Sequence, residues 1–227
     1  MLGRCVIITA WAPDGIRDVV GLAPDDFIIC ADGGYALAQR ENILPNSVVG
    51  DFDSLGKMPE DLPEGCQIIQ AAREKNETDT FLCLSHGMQA GFRTFAVAGG
   101  IGGRLDHTVA NLQLLAYAAR RGLNMWMMDA NNRVTAIGPG EKRIAKIPGW
   151  KLSILAHDKA CYGVTLQNVK YPLKDAVLTN EFPLGISNEF EGPEAIITLK
   201  EGLLLLFVSR DAAISADDQA RGGAGKR

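Results

Sequence analysis

The spacing of apolar residues changes character once along this 227-residue chain, near Asn131, and that change limits the folds open to it. Before it, short runs rich in β-branched residues alternate with amphipathic stretches. The strand-like runs are 4–12, Phe27–Ala31, Ser47–Gly50, Gln67–Gln70, Thr94–Ala98 and Asn124–Met128, and the helical stretches are 35–41, 78–89 and 107–121. A parallel strand pair needs a crossover connection and a helix supplies one, so the alternation predicts a parallel sheet wrapped by helices. The helix over 107–121 is the clearest: Val109, Leu112, Leu115, Ala116 and Ala119 recur at helical spacing, and Gly122 follows as a stop.

After Asp129-Ala130-Asn131-Asn132, closely spaced strands near 133–137, 142–147, 151–155, 163–166, 196–199 and 203–208 are separated by Gly, Pro and Asn, with no convincing helix between them. This predicts a second, all-β unit. The expected fold is therefore α/β: a parallel-sheet, Rossmann-like nucleotide domain over residues 1–130, followed by a small β-sandwich domain over 131–214. The polar, glycine-rich stretch 215–227 is expected to be a disordered tail.

Charge and cysteine usage narrow the function classes. The formal net charge is −4 and the basic residues are dispersed, so no electrostatic footprint for nucleic acid is present. Five scattered cysteines, none in C-x-x-C spacing, read as reduced core residues of a cytoplasmic protein. Residues 4–12 imitate a short signal peptide ending in Ala-x-Ala, but read better as a first strand. The longest later apolar run, 203–208, is far below the ~20 residues of a membrane span, so a soluble protein is expected.

The chemistry is concentrated in four turns: Asp32-Gly33-Gly34, Gly50-Asp51-Phe52-Asp53-Ser54, Glu77-Thr78-Asp79 and Gly102-Gly103-Arg104-Leu105-Asp106-His107. Three of them follow a strand-like run, and ligands of open α/β sheets bind at the carboxyl ends of strands. Carboxylates suit a hard cation, while glycine-rich backbone leading into a helix suits phosphate, so Mg²⁺ and a polyphosphate are the expected ligands. Asp51 and Asp53 stand two apart, which in extended backbone puts both on one face as a cation clamp. Asp-x-Asp-Ser also suits an Asx turn, and Glu77-Thr78-Asp79 also suits an ordinary helix cap. Arg104 can chelate phosphate oxygens, Asp106 can hold a metal or a hydroxyl, and His107 and Asn111 lie about one turn apart. His86 and His157 lack spaced metal partners, and no nucleophile elbow surrounds Ser85 or Cys83.

These turns, in this order and together with Gly185-Ile186-Ser187-Asn188-Glu189-Phe190, resemble the thiamin pyrophosphokinase family from the first strand to about Val208. The resemblance implies transfer of a diphosphoryl group from ATP to the hydroxyl of thiamin, giving thiamin diphosphate and AMP. It also implies a homodimer that binds thiamin where the subunits meet. Asp51, Asp53 and Asp79 match the family's acidic Mg²⁺ and diphosphate region, and Asp32 and Gly33 its Asp-Gly-Gly turn. Gly102, Gly103, Arg104, Asp106, His107 and Asn111 match its Gly-Gly-Arg-x-Asp-His-x-x-x-Asn signature, with Thr78 and Lys75 on the nucleotide side. Asp79 or Asp106 is expected to orient the alcohol or take its proton. Ser187 and Asn188 match a motif that looks like a thiamin contact. Lys75 stands where animal and fungal members have Gln, as in the bacterial form, and Trp150, at a strand start, is not placed to stack on the pyrimidine. A diphosphokinase for another heteroaromatic alcohol, such as a hydroxymethylpterin, and a non-catalytic nucleotide or thiamin diphosphate sensor are the alternatives.

Overall fold

The computed structural model describes residues 3–52, 61–71 and 76–211. In chain order the elements are β1 (Cys5–Ile8), α1 (Arg17–Val20), β2 (Phe27–Ala31), α2 (Gly34–Arg40), β3 (Ser47–Gly50), β4 (Gln67–Gln70), α3 (Asp79–Gln89), β5 (Thr94–Ala98), α4 (Leu105–Arg120) and β6 (Asn124–Met128). Strands then follow one another: β7 (Asn132–Ile137), β8 (Gly140–Ala145), β9 (Lys151–Ala156), β10 (Ala160–Gln167), β11 (Leu173–Thr179), β12 (Glu194–Leu199) and β13 (Leu204–Ser209).

The strands form a nine-stranded sheet ordered β4-β3-β2-β1-β5-β6-β7-β13-β9 and a four-stranded sheet ordered β11-β10-β12-β8. From β4 to β6 the large sheet is parallel, with Ile7 of β1 opposite Ile29 on one side and Val97 on the other. β1 is buried along its whole length because helices cover both faces. Cys5 and Ile7 enter the cluster that includes Leu84, Leu114 and Leu115, whereas Val6 and Ile8 enter the opposite one with Ile16, Tyr35 and Ala38. The two-residue period of a strand thus supplies both layers from one segment.

The large sheet does not stop where the helices do. β6 pairs antiparallel with β7, and β13 and β9 continue it, so the α/β and all-β halves share one hydrogen-bonded sheet. β13 shows how: Leu204, Leu206 and Val208 face the smaller sheet, while Leu205 and Phe207 pack toward the helical layer. The β-rich core lies between this end of the large sheet and the four-stranded sheet.

Most expected elements are present, with three differences. α1 is a single turn, too short for a periodic signal, and β11 is an edge strand in which only Leu178 is buried, so its alternation is faint. α4 begins at Leu105, and its buried stripe runs through Asn111, Leu114, Leu115 and Ala118 rather than Val109, which is 54% exposed. The spacing of those four buried residues is that of one helical face, and its first member is polar. Asp53, Ser54, Lys75 and the tail lie outside the described residues.

Candidate active site

β1 lies between β2 and β5, and the chain passes from one side of β1 to the other between β4 and β5. A sheet whose winding reverses leaves a crevice at the carboxyl ends of the two strands on either side of the reversal. Here that crevice is a cleft of about 630 Å³, lined by the segment after β1 (Thr9, Ala10, Trp11), the end of β2 (Ala31, Asp32), residues 76–80 at the start of α3, and Gly100, Gly102, Arg104, His107 and Asn111. Of the residues singled out from the sequence, Asp32, Thr78, Asp79, Gly102, Arg104, His107 and Asn111 meet there.

Local backbone chemistry explains how they are held. Asp32 is buried and takes a left-handed conformation, φ 42°, with its N–H donating to Val49 O at 2.8 Å. Gly50 must be glycine for this approach, since a Cβ there would come within 2.9 Å of the Asp32 Cβ. Gly34 rather than Gly33 is the glycine the Asp32 turn requires: a Cβ at Gly34 would lie 2.2 Å from Ile8 O, whereas Gly33 has ordinary helical angles and does not line the cleft. At α3, the Thr78 hydroxyl accepts a bond from Phe81 N–H, an N-cap that leaves Asp79 in the first turn, where a carboxylate complements the helix dipole.

The glycine loop after β5 is tied down by its own chain. Gly99 N–H donates to Met128 O, Gly100 N–H to Trp11 O at 2.8 Å and Gly102 N–H to Thr108 Oγ1 at 3.0 Å. Asn111, buried, donates from Nδ2 to Gly100 O at 2.8 Å. Gly100 and Gly102 therefore contribute positive φ angles rather than anion-binding N–H groups, and Asn111 contributes loop rigidity. Of the two glycines expected on the phosphate side, Gly102 and Gly103, the first thus has its N–H engaged by Thr108.

Arg104 and Asp106 form a two-pronged pair, Nη2 to Oδ2 at 2.6 Å and Nε to Oδ1 at 3.2 Å, at an exposed position. The hydrogen bond from Arg104 holds the Asp106 carboxyl below the usual carboxylate range, so it stays ionised, and the same bond raises the guanidinium further. Arg104 lines the cleft while Asp106 is turned to Arg104 and does not. Burial pushes the thiol of Cys5 up to about 12, in keeping with a core residue rather than a nucleophile.

Three sequence expectations change. The shared-face argument for Asp51 and Asp53 assumed extended backbone, but the intervening Phe52 is buried with φ 61°, which breaks the two-residue alternation. Asp51 does not line the cleft, nor does Gly103, whose place is against the Trp11 ring. Asn188 was expected as a thiamin contact, yet its side chain is buried and spent within the chain. Its Oδ1 accepts from Tyr171 N–H and Glu189 N–H, each at 3.0 Å, and its Nδ2 donates to Tyr171 O at 2.8 Å. Ser187, by contrast, is exposed with φ 57°, on a loop that runs beside β9. The sequence reading missed Thr9 and Trp11, which it absorbed into the first strand. Their signal was a polar residue directly after four consecutive apolar ones, with an aromatic two positions further on.

Comparison with known proteins gives a consistent picture. The family model for the thiamin pyrophosphokinase catalytic domain matches residues 22–127, and that for the thiamin pyrophosphokinase vitamin B1 binding domain matches residues 142–204. The thiamine pyrophosphokinase of Bacillus subtilis is 27% identical over 215 residues, spanning 92% of this chain and 100% of that protein. Its crystal structure superposes with a TM-score of 0.80 at 25% identity, covering 92% of this chain and 100% of the other. A thiamin pyrophosphokinase family protein from Enterococcus faecalis gives a TM-score of 0.77 at 26% identity, covering 92% and 100%.

Proposed function

The chain belongs to the thiamin pyrophosphokinase family, and from that premise we propose how its residues divide the work of the reaction. The activity is that of a thiamin diphosphokinase: the diphosphoryl group passes from ATP to the thiamin hydroxyl, and AMP leaves. The observation that carries the assignment of the site is the meeting of Asp32, Asp79 and Arg104 in one cleft at the reversal point of the sheet.

Such a transfer needs the alcohol in line with the β-phosphorus and a field that neutralises charge spread over phosphate oxygens. Arg104, rooted at the N-terminus of α4 and facing the cleft, is suited to the second task, and its pairing with Asp106 aims the guanidinium. Of the two carboxylates set against the thiamin hydroxyl, Asp79 fits better, because it lines the cleft while Asp106 is engaged with Arg104. Thr78 fixes the start of α3 and so the place of Asp79; His107 faces the same cleft.

Among the described residues no three His, Cys, Asp or Glu side chains converge to hold a metal. Mg²⁺ is usually held by one or two carboxylates together with water and substrate phosphates, and of the carboxylates expected to hold it Asp79 lines the cleft. We assign the ion to Asp79, with Asp51, outside that lining, and Asp53 as the further carboxylates the family pattern supplies; Asp53 and Lys75 are placed by sequence alone. When bound, the ion neutralises charge on the transferred group.

We further assign residues 1–130 to nucleotide binding and catalysis and 131–214 to thiamin binding and dimerisation, in a cytoplasmic protein. None of the five cysteines is in a disulfide, which supports the reducing compartment, and no helix of the described residues is long and apolar enough to cross a membrane. A homodimer is supported by exposed apolar groups gathered around the Ser187 loop: Phe182, Leu184 and Ile186, with Val177 on edge strand β11. Ser187 does not line the cleft of its own chain, which suits a site completed across a two-fold axis.

Incubation with ATP, Mg²⁺ and thiamin should yield AMP and thiamin diphosphate in equal amounts; AMP formation independent of thiamin would overturn the substrate. Mixing inactive Asp53→Asn and Ser187→Trp proteins tests the shared site. In a mixed dimer one cleft collects both lesions and the other neither, so random reassortment should restore roughly a quarter of the wild-type sites. Isolated heterodimers that stay inactive would place Ser187 in the pocket of its own chain.

A further inference from the structure

Trp11 has no part in the roles assigned so far, yet the cleft is built around it. The residue follows Thr9, whose hydroxyl donates to Ala98 O at 3.0 Å and anchors the segment after β1 to the end of β5. Its carbonyl oxygen accepts the Gly100 N–H at 2.8 Å. Its indole lies against the glycine loop: a Cβ on Gly103 would come 2.9 Å from Trp11 Cδ2, and one on Gly102 would come 3.2 Å from Nε1. The ring is thus backed on one side by a loop cleared for it by two glycines, and the residue remains 49% exposed at the cleft wall. A half-exposed tryptophan, held in place at a concave site, presents a π-face that ordinary folding does not require.

We propose that the Trp11 indole is a substrate-positioning wall that packs on the cationic thiazolium ring of thiamin; the inference rests on thiamin being the substrate. Two considerations select this ring over the adenine of ATP. The accepting hydroxyl is joined to the thiazolium by a short ethyl arm, so that ring has to stop close to the transferred phosphorus, beside the loop on which Trp11 packs. Among the described residues the lining also carries three carboxylates, Asp32, Glu77 and Asp79, beside the guanidinium of Arg104. A permanent positive charge is favoured there, and tryptophan gives the strongest cation–π contact of the aromatic side chains.

The test compares Trp11→Leu and Trp11→Phe with the wild type, with thermal melting of each to confirm folding. Trp11→Leu should raise the KM for thiamin about five- to tenfold and Trp11→Phe by less, both with the KM for ATP unmoved. The neutral thiazole alcohol, which lacks the charge, should inhibit wild type and Trp11→Leu alike. Thiamin should quench tryptophan emission in the wild type, and that quenching should be lost in Trp11→Phe although Trp126 and Trp150 remain. A rise confined to the KM for ATP would assign the indole to adenine and overturn the proposal, as would an unchanged KM for thiamin. Equal loss of the neutral alcohol would reduce the wall to shape alone and also overturn it. The quenching titration needs no turnover: a wild type that binds thiamin through Trp11 but forms no AMP would remove the activity and keep this contact. If Trp11→Leu does not fold, Trp11→Phe and the quenching decide.

Discussion

After β2, Asp32 adopts a left-handed backbone conformation and its residue lines the cleft; before β9 in space, Ser187 adopts the same conformation while its neighbour Asn188 turns its carboxamide inward, onto Tyr171 and Glu189. Non-glycine residues in that region are strained by on the order of 1 kcal/mol or more, so both turns are held by their surroundings. Their polar groups nevertheless serve different ends. At the sheet reversal, backbone bonds and the Asn111 carboxamide shape the glycine loop, and Asp32 and Asp79 line the cleft beside it. In the β-rich half, the side chain itself supplies the bonds that shape the loop. Motif residues of similar chemistry can therefore line a cleft in one half of a protein and serve as scaffolding in the other.

The sharpest break would come from Asp79→Asn, which keeps shape and removes charge. Turnover should fall at least ~10²-fold with the melting temperature within a few degrees of wild type, by analogy with losing one preorganised electrostatic group. Near-normal turnover in the folded variant would move Asp79 to the scaffolding class.

Arg104→Ala should lower kcat about tenfold or more while the KM for thiamin changes little, because a guanidinium beside the migrating group acts mainly in the transition state. Arg104→Lys should recover only part of the loss, since the two-pronged geometry seen with Asp106 is gone. A change in thiamin KM alone would remove Arg104 from the phosphate.

Asn188→Ala tests the other side of the contrast. It strands the Tyr171 and Glu189 N–H groups, so denaturant unfolding should show a loss of about 1–3 kcal/mol. A raised KM for thiamin with stability unchanged would make Asn188 a ligand after all.

The smallest effect concerns the two ends of β2, where Asp26 stands just before the strand and Asp32 just after. Burial alone would raise the Asp26 carboxyl, but the bonds from Arg4, Nε to Oδ1 at 2.7 Å, and from Ala23 N–H hold it below its usual range. A depressed folded-state value means stability that is present above the ordinary carboxylate value, about 3.9, and is lost as pH falls through the lower folded one. Asp26→Asn should therefore flatten the acid limb of the unfolding curve without touching turnover. Unaltered acid unfolding would show that this pair contributes nothing.

Much of the architecture was legible because strand and helix periods are local. Phe27–Ala31, Ser47–Gly50, Gln67–Gln70, Thr94–Ala98 and Asn124–Met128 could be bounded from apolar runs and turn residues alone. α1 and β11 escaped for a physical reason: a single turn has no period, and an edge strand with one buried residue has no alternation. In the site, the acids and glycines stood out in the sequence, but which of them face the cleft did not. Asp106 is drawn to Arg104, Gly102 N–H to Thr108, and Phe52, just after Asp51, has a φ of 61° rather than an extended one.

Taken alone, then, the sequence determined the class of fold, the order of its elements, the four acidic and glycine-bearing turns and the chemistry those residue types can perform, since each depends on neighbours along the chain. Tertiary structure decided that one sheet runs through both halves, that Asn111 and Asn188 are builders, and that Trp11 stands at the cleft. Those outcomes depend on groups far apart in sequence, such as Thr9 with Ala98 or Trp11 with Gly103, whose approach is set by sheet winding and close packing rather than by any local pattern.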